Sequence, residues 1–201
     1  NQVFFALITS RYARPVEEQR LFLQLDLANS TRLAARLGDR EAMRIVTRFL
    51  YALGQPVRRY GGSIDKYVGD QAIISWRLTR RRPDAPALAC ALAIRDTLTR
   101  LGHEMQDHAG EVLGFRIAIH AGSVIVAQVG DERREITYFG DTINSLSRLD
   151  GVAKEMGRDI IMTQDGCQRC RLVPGVTMEA LGPAILRGRE LPVEIFGLTV
   201  A

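Results

Sequence analysis

Asp26 and Asp70 are the two residues from which any chemistry in this sequence must start. Asp26 closes the apolar run RLFLQLDL just before Asn29, Ser30 and Thr31, and Asp70 follows Gly69 between SIDKYV and QAIISW. Taken singly, Asp26 reads as a helix N-cap and Asp70 as a turn residue. Placed on neighbouring elements they read differently, because two carboxylates held close need a cation between them. Oxygen donors of this kind suit Mg2+ or Mn2+, which take the rest of their coordination from water and substrate phosphates. A third group lies in GDTINSLSR, where Asn144 and Arg148 stand four apart and so share one helical face. An arginine and an amide pointing the same way can hold a phosphate or a sugar oxygen.

Positioning these groups is the work of the elements around them. Arg20 to Leu27 runs apolar and predicts a buried strand, followed by a helix that stops near Gly38. A second helix is expected from about Arg40 to Tyr60, with Met43, Val46, Phe49, Leu50 and Leu53 on one face, ended by Gly61 and Gly62. Strands 63–68 and 71–76 form a hairpin through Gly69 and Asp70. Pro86 to about Met105 predicts an Ala- and Leu-rich helix. FRIAIHAG and SVIVAQVG then read as a strand pair, 115–121 and 123–130, turning at Gly122. After the polar DERRE and the strand ITYF, Asp141 or Thr142 can cap a helix carrying Ile143, Leu146 and Leu149. Strand 160–162, a short helix from Thr163 or Gln164, strand 178–181 and a last hairpin through 187–189 into 193–198 close the chain. This order predicts an α+β sandwich whose opening elements match a ferredoxin-like βαββαβ core, with residues 1–19 a connecting segment and 20–201 one domain.

Composition narrows the partners. The chain has 201 residues, of which 46% are hydrophobic and 25% charged, so it can bury a core of its own. Its 27 basic against 23 acidic residues suit anionic ligands, but 6% aromatics and no basic stripe argue against nucleic acid. Arg80, Arg81 and Arg82 read as a solvated loop. Three cysteines argue for a reducing compartment, and Cys167 and Cys170 form a CxxC without redox or zinc context. No run approaches the ~20 apolar residues that cross a bilayer. The absence of an initiator Met and the short burst Val3 to Ile8 suggest a piece of a longer protein.

FLQLDLANSTRLAARLG, GGSIDKYVGDQAIISW and FRIAIHAGSVIVAQVGDERREITYFGDTINSLSRLD, in that order, resemble the catalytic domain of the class III adenylate and guanylate cyclases. The resemblance covers the chain from about Arg20 onward and rests on an aspartate followed by a Ser/Thr turn, a KxxGD hairpin, an RxxIHxG strand and a GDTxNxxxR helix. It implies that Asp26, Asp70 and the Leu27 carbonyl hold two Mg2+ or Mn2+ ions, with backbone N–H groups near Ser30 and Thr31 on the phosphates. Lys66 and Thr137 stand where the purine is read, and Asn144 and Arg148 where the ribose and the transition state are held. Arg187 or Arg189 falls where the family places a triphosphate-binding lysine, so this chain departs from the pattern there.

The resemblance further implies a head-to-tail homodimer whose sites are shared, with metal residues from one subunit and base, ribose and transition-state residues from the other. The implied reaction turns ATP into 3′,5′-cyclic AMP and pyrophosphate. Adenine offers an acceptor at N1 for Lys66 and a donor at N6 for the Thr137 hydroxyl, whereas guanine would favour an acid in place of Lys66. His120 reads as a packed strand histidine. RYARPVEEQRLFLQLD is similar to the leading sequence of bacterial cyclases that follow a membrane-embedded region, which implies a cytoplasmic domain tethered to the inner face of a membrane and an upstream regulatory region. The alternatives are a catalytically idle nucleotide-binding module and a guanylate cyclase. A diguanylate cyclase is disfavoured by GGSID, which lacks the acidic turn.

Overall fold

A computed structural model describes residues 11–106, 110, 113–131, 134–186 and 191–200. The run VEEQRLFLQLDL forms β1, Val16–Leu27. Three helices follow, α1 Ser30–Leu37, α2 Asp39–Ala52 and α3 Gly54–Arg59, and then the hairpin of β2 Ser63–Val68 and β3 Gln71–Arg77. Helix α4, Ala87–Glu104, leads to β4 Phe115–Val129, β5 Glu135–Phe139 and α5 Asp141–Glu155. β6 Ile160–Thr163, α6 Gln164–Arg169, β7 Val176–Ala184 and β8 Val193–Val200 complete the order. The strands make one eight-stranded sheet in the order β2-β3-β1-β4-β6-β8-β7, with β5 paired to β4. The fold is the expected α+β type.

The alternation of β1 sends its side chains to two different cores. Leu21, Leu23 and Leu25 pack with Ile74, Ile117 and Ile119 beneath α2 and α4, which contribute Ile45, Phe49, Leu88 and Ile94. Phe22 faces the other way with Ala118, Val126 and Ile161, under Leu146 and Leu149 of α5. Each such side chain contributes ~1.5–3 kcal/mol by leaving water, so the sheet is held from both sides. Asp26 and Arg116, at even positions of their strands, share the face of α5.

Four expectations about elements are corrected. The helix of residues 40–60 is two helices that part at Leu53 and Gly54. Pro56 has no N–H to offer the Ala52 carbonyl, so the ladder cannot run on. Met43 is 56% exposed, because the buried face of α2 follows Ala42, Ile45, Val46 and Phe49. Strands 115–121 and 123–130 are one strand, β4, and Gly122 lies in its middle opposite Arg20. Gly122 is required by close approach and not by a turn, since a Cβ there would stand 2.5 Å from Thr142 Oγ1. Neither Asp141 nor Thr142 caps α5: the N-cap is Gly140, and the Thr142 hydroxyl donates instead to the Ser123 carbonyl at 2.7 Å.

The remaining polar landmarks are structural. His120 is buried, with Nδ1 2.7 Å from Thr163 Oγ1, and that hydroxyl accepts from the Gly166 N–H at the start of α6. Burial pushes the thiols of Cys90, Cys167 and Cys170 up to about 12, which suits packing and not reactivity. Arg80 to Arg82 are exposed in a turn closed by Thr79 and Arg82. No helix among the described residues is long and apolar enough to cross a membrane.

Candidate active site

β1 and β3 are hydrogen-bonded neighbours, with Asp26 opposite Gln71. That register carries Asp26 to the hairpin tip where Asp70 sits, and Asp26, Leu27, Ser30, Thr31 and Asp70 line one cleft of about 570 Å³. Asn29 starts α1 in the left-handed region, φ 64°, without a side-chain capping bond, so Asp26 is no N-cap. Asp26 is 7% exposed. Its Oδ1 accepts from Gln71 Nε2 at 3.0 Å and its Oδ2 from Arg116. Asp70 accepts from the Ser30 hydroxyl.

The electrostatics of this cleft are those of a buried carboxylate with acidic neighbours. Burial pushes the Asp26 carboxyl up; Gln71 and Arg116 oppose that shift, and the neighbouring charges of Asp150 and Asp70 add to it. A divalent cation would relieve the same crowding. Among the described residues no three His, Cys, Asp or Glu side chains gather around one point. The donors present, two carboxylates and a backbone carbonyl, therefore fit an ion that completes its shell with water and phosphate oxygens. Ion binding must exchange partners, because both carboxylates are already bonded to protein groups.

Arg116, Arg32 and Lys154 also line this cleft, and sequence reasoning assigned none of them a role. Arg116 Nε bonds Asp150 at 3.1 Å on α5 while its other nitrogen reaches Asp26. Its signal was available: in FRIAIH it alternates with buried apolar residues, and it pairs directly opposite Asp26 across β1 and β4. Lys154 stands one helical turn beyond Asp150, and no local pattern ties it to Asp26 on β1, far upstream in the chain.

Lys66 and Thr137 lie elsewhere. Both line a long groove of about 2270 Å³ whose apolar wall includes Tyr67, Ile73, Val129 and Ile136. Asn144 and Arg148 lie on α5, the first exposed and the second half-buried, and they line neither cavity. Their helix connects the two, since Ile143 borders the groove and Lys154 the acidic cleft. One chain thus gathers the carboxylates at one place and Lys66 with Thr137 at another. Arg187 and Arg189 lie outside the described residues.

Comparison with known proteins gives a consistent picture. The family described as "Adenylate and Guanylate cyclase catalytic domain" matches residues 18–199. Adenylate cyclase 2 of Rhizobium meliloti (strain 1021) is 40% identical over 197 residues, 98% of this chain and 54% of that protein. Adenylate cyclase of Anabaena cylindrica is 25% identical over 177 residues, 85% of this chain and 35% of that protein. This chain therefore spans about half, or less, of the curated relatives it matches. Among solved structures, the adenylyl cyclase CyaB from P. aeruginosa superposes with a TM-score of 0.81 at 19% identity, covering 94% of this chain and 97% of that one. The guanylate cyclase domain of RhGC from Catenaria anguillulae in complex with GTP gives 0.74 at 18% identity, covering 92% and 98%. At these identities the structural likeness is one of fold.

Proposed function

Because this chain belongs to the adenylate and guanylate cyclase catalytic-domain family, we propose that it converts ATP into 3′,5′-cyclic AMP and pyrophosphate, at sites completed between two copies. The observation that carries this reading is the partition described above. Asp26 and Asp70 share one cleft with Arg32, Arg116 and Lys154, Lys66 and Thr137 share a groove, and among the described residues of one copy the two sets line separate cavities. A second copy laid head to tail over the groove supplies what each half lacks.

Asp26, Asp70 and the Leu27 carbonyl would hold Mg2+ or Mn2+, two ions per site, which supply charge neutralisation and make the ribose 3′-hydroxyl more acidic. The bond from O3′ to the α-phosphorus forms as the bond to the β-phosphate bridge breaks, and the 3′ proton leaves to solvent. Arg116 and Lys154, with the free N–H groups at the start of α1 near Ser30 and Thr31, balance the triphosphate. From the other copy, Lys66 donates to adenine N1 and Thr137 accepts from N6. Asn144 orients the ribose, and Arg148 meets the charge that grows on the α-phosphoryl oxygens. Arg187 or Arg189 would stand in for the triphosphate-binding lysine of the family. An upstream region of the native protein would tether the domain to the cytoplasmic face of a membrane and regulate it.

The test is complementation. Asp70→Ala and Arg148→Ala should each lose cyclic AMP formation by at least ~100-fold. Mixed in equal amounts and allowed to exchange subunits, they should regain about a quarter of wild-type activity, since half the dimers then carry one intact site. A mixture that forms dimers and stays inactive overturns the shared-site reading.

A further inference from the structure

β2 does not pair regularly with β3. Ile64 stands opposite Ile74 and Lys66 opposite Ile73, so Asp65 between them has no partner and forms a bulge. In a regular strand Ile64 and Lys66 would point to the same face. Here they do not: Ile64 and Ile74 pack in the core beneath α2 and α4, whereas Ile73 packs on the side of α5. The extra residue thus turns Lys66 from the face of Ile64 and Ile74 to that of Ile73, the α5 side of the sheet, at the border of the groove. Bulges beside active sites commonly re-aim a side chain in this way.

What fills the bulge is an acid, held in a polar cluster. The Asp65 carboxylate faces Ser75, Arg20, Tyr138 and Ser63. Arg20 donates to Ser75 Oγ at 2.7 Å and to Glu18 Oε2 at 2.9 Å, and its guanidinium lies 4.9 Å from the centre of the Tyr138 ring. Yet Asp65 Oδ2 is buried with no hydrogen-bond partner. A largely buried carboxylate with one unbonded oxygen costs stability, which its contacts with Ser75, Arg20, Tyr138 and Ser63 offset only in part. The cluster also adjoins both purine-reading positions, since Asp65 precedes Lys66 and Tyr138 follows Thr137.

We propose that Asp65 is a positioning residue for base selection: docked on Arg20, Ser75 and Tyr138 from within the bulge, it fixes the direction in which Lys66 enters the groove. The inference rests on the reading of Lys66 as the residue that meets the purine. Asp65 itself touches no substrate atom and acts through its neighbour.

A double-mutant cycle separates this role from a structural one. ATP and GTP turnover and thermal stability are measured for wild type, Asp65→Ala, Lys66→Ala and the pair. Asp65→Ala should cut the ratio of kcat/KM for ATP over GTP about tenfold, the worth of one well-aimed hydrogen bond, with stability unchanged or raised. In the Lys66→Ala background the same change should shift the ratio by less than about twofold, as coupled residues require. Asp65→Asn, which keeps the shape, should retain most of the preference. An equal loss in both backgrounds, or an unchanged ratio, overturns the proposal. If Asp65→Ala does not fold, Tyr138→Phe takes its place in the cycle with the same expectation. If the wild type cyclises neither nucleotide, the functional reading fails on its own. The positioning claim is then read from the crystal structure of Asp65→Ala or, should that not fold, of Tyr138→Phe: a Lys66 that leaves its place opposite Ile73 supports it, and an undisturbed bulge sinks it.

Discussion

Burial pushes the Asp65 carboxyl above the ordinary aspartate range, against the pull of Ser75, Arg20, Tyr138 and Ser63. The folded chain therefore binds this proton more tightly than the unfolded chain, and the ionised group costs stability. The sign is fixed: the cost is absent below the unfolded pKa, grows as pH rises to the folded pKa, and is complete above it. Asp65→Asn should accordingly melt at a higher temperature than wild type at pH 7, with the gap closing by about pH 4, where aspartate in an unfolded chain takes its proton. A variant that melts lower at pH 7 would mean that the charge of Arg20 outweighs burial. Asp65 was not legible as anything but a strand residue, because a bulge leaves no mark in a run as short as SIDKYV. Asp26 and Asp70 were legible, since each stands where an apolar run meets a turn, and the adjacency of β1 and β3 follows from the order of elements.

At the scale of elements, the glycine of IHAGS shows where pattern reading fails. Glycine between two apolar runs marks a turn more often than not, yet here β4 runs straight through it and α5 leans on the gap left by the missing side chain. Nothing short of the helix's position distinguishes the two cases. Gly122→Ala should lower stability by ~1–3 kcal/mol, because the new methyl meets Thr142 Oγ1 and overpacked contacts of this kind cost about that much. Thr142→Ala removes the opposing atoms, and the double variant should recover part of the loss in a denaturant titration. Equal losses in single and double variants would place the strain elsewhere. The corrected helix boundary at Leu53 has a plainer origin, for the apolar periodicity runs on past Pro56 while the missing N–H of that residue ends the ladder.

For the whole molecule, part of the exposed apolar surface lines the groove. Tyr67, Val68 and Val129 there are about half exposed, and Phe139 at the end of β5 is 77% exposed; apolar side chains left to water in this way suit an interface. Phe139→Asp should weaken self-association by at least ~10-fold in sedimentation, as a charge placed in an apolar interface does. Cyclic AMP formation should fall in step with the dimer fraction; full activity in a strictly monomeric variant would contradict shared sites. The central position of β1 carries a different consequence. Its partners on one side, residues 115–126 of β4, lie roughly 90 to 110 positions further along the chain, and such remote pairing slows folding. During synthesis the ribosome releases LFLQL long before the strand that will cover its flank exists. For that interval the nascent polypeptide presents a bare, greasy ribbon edge, and shielding by chaperones is the natural remedy.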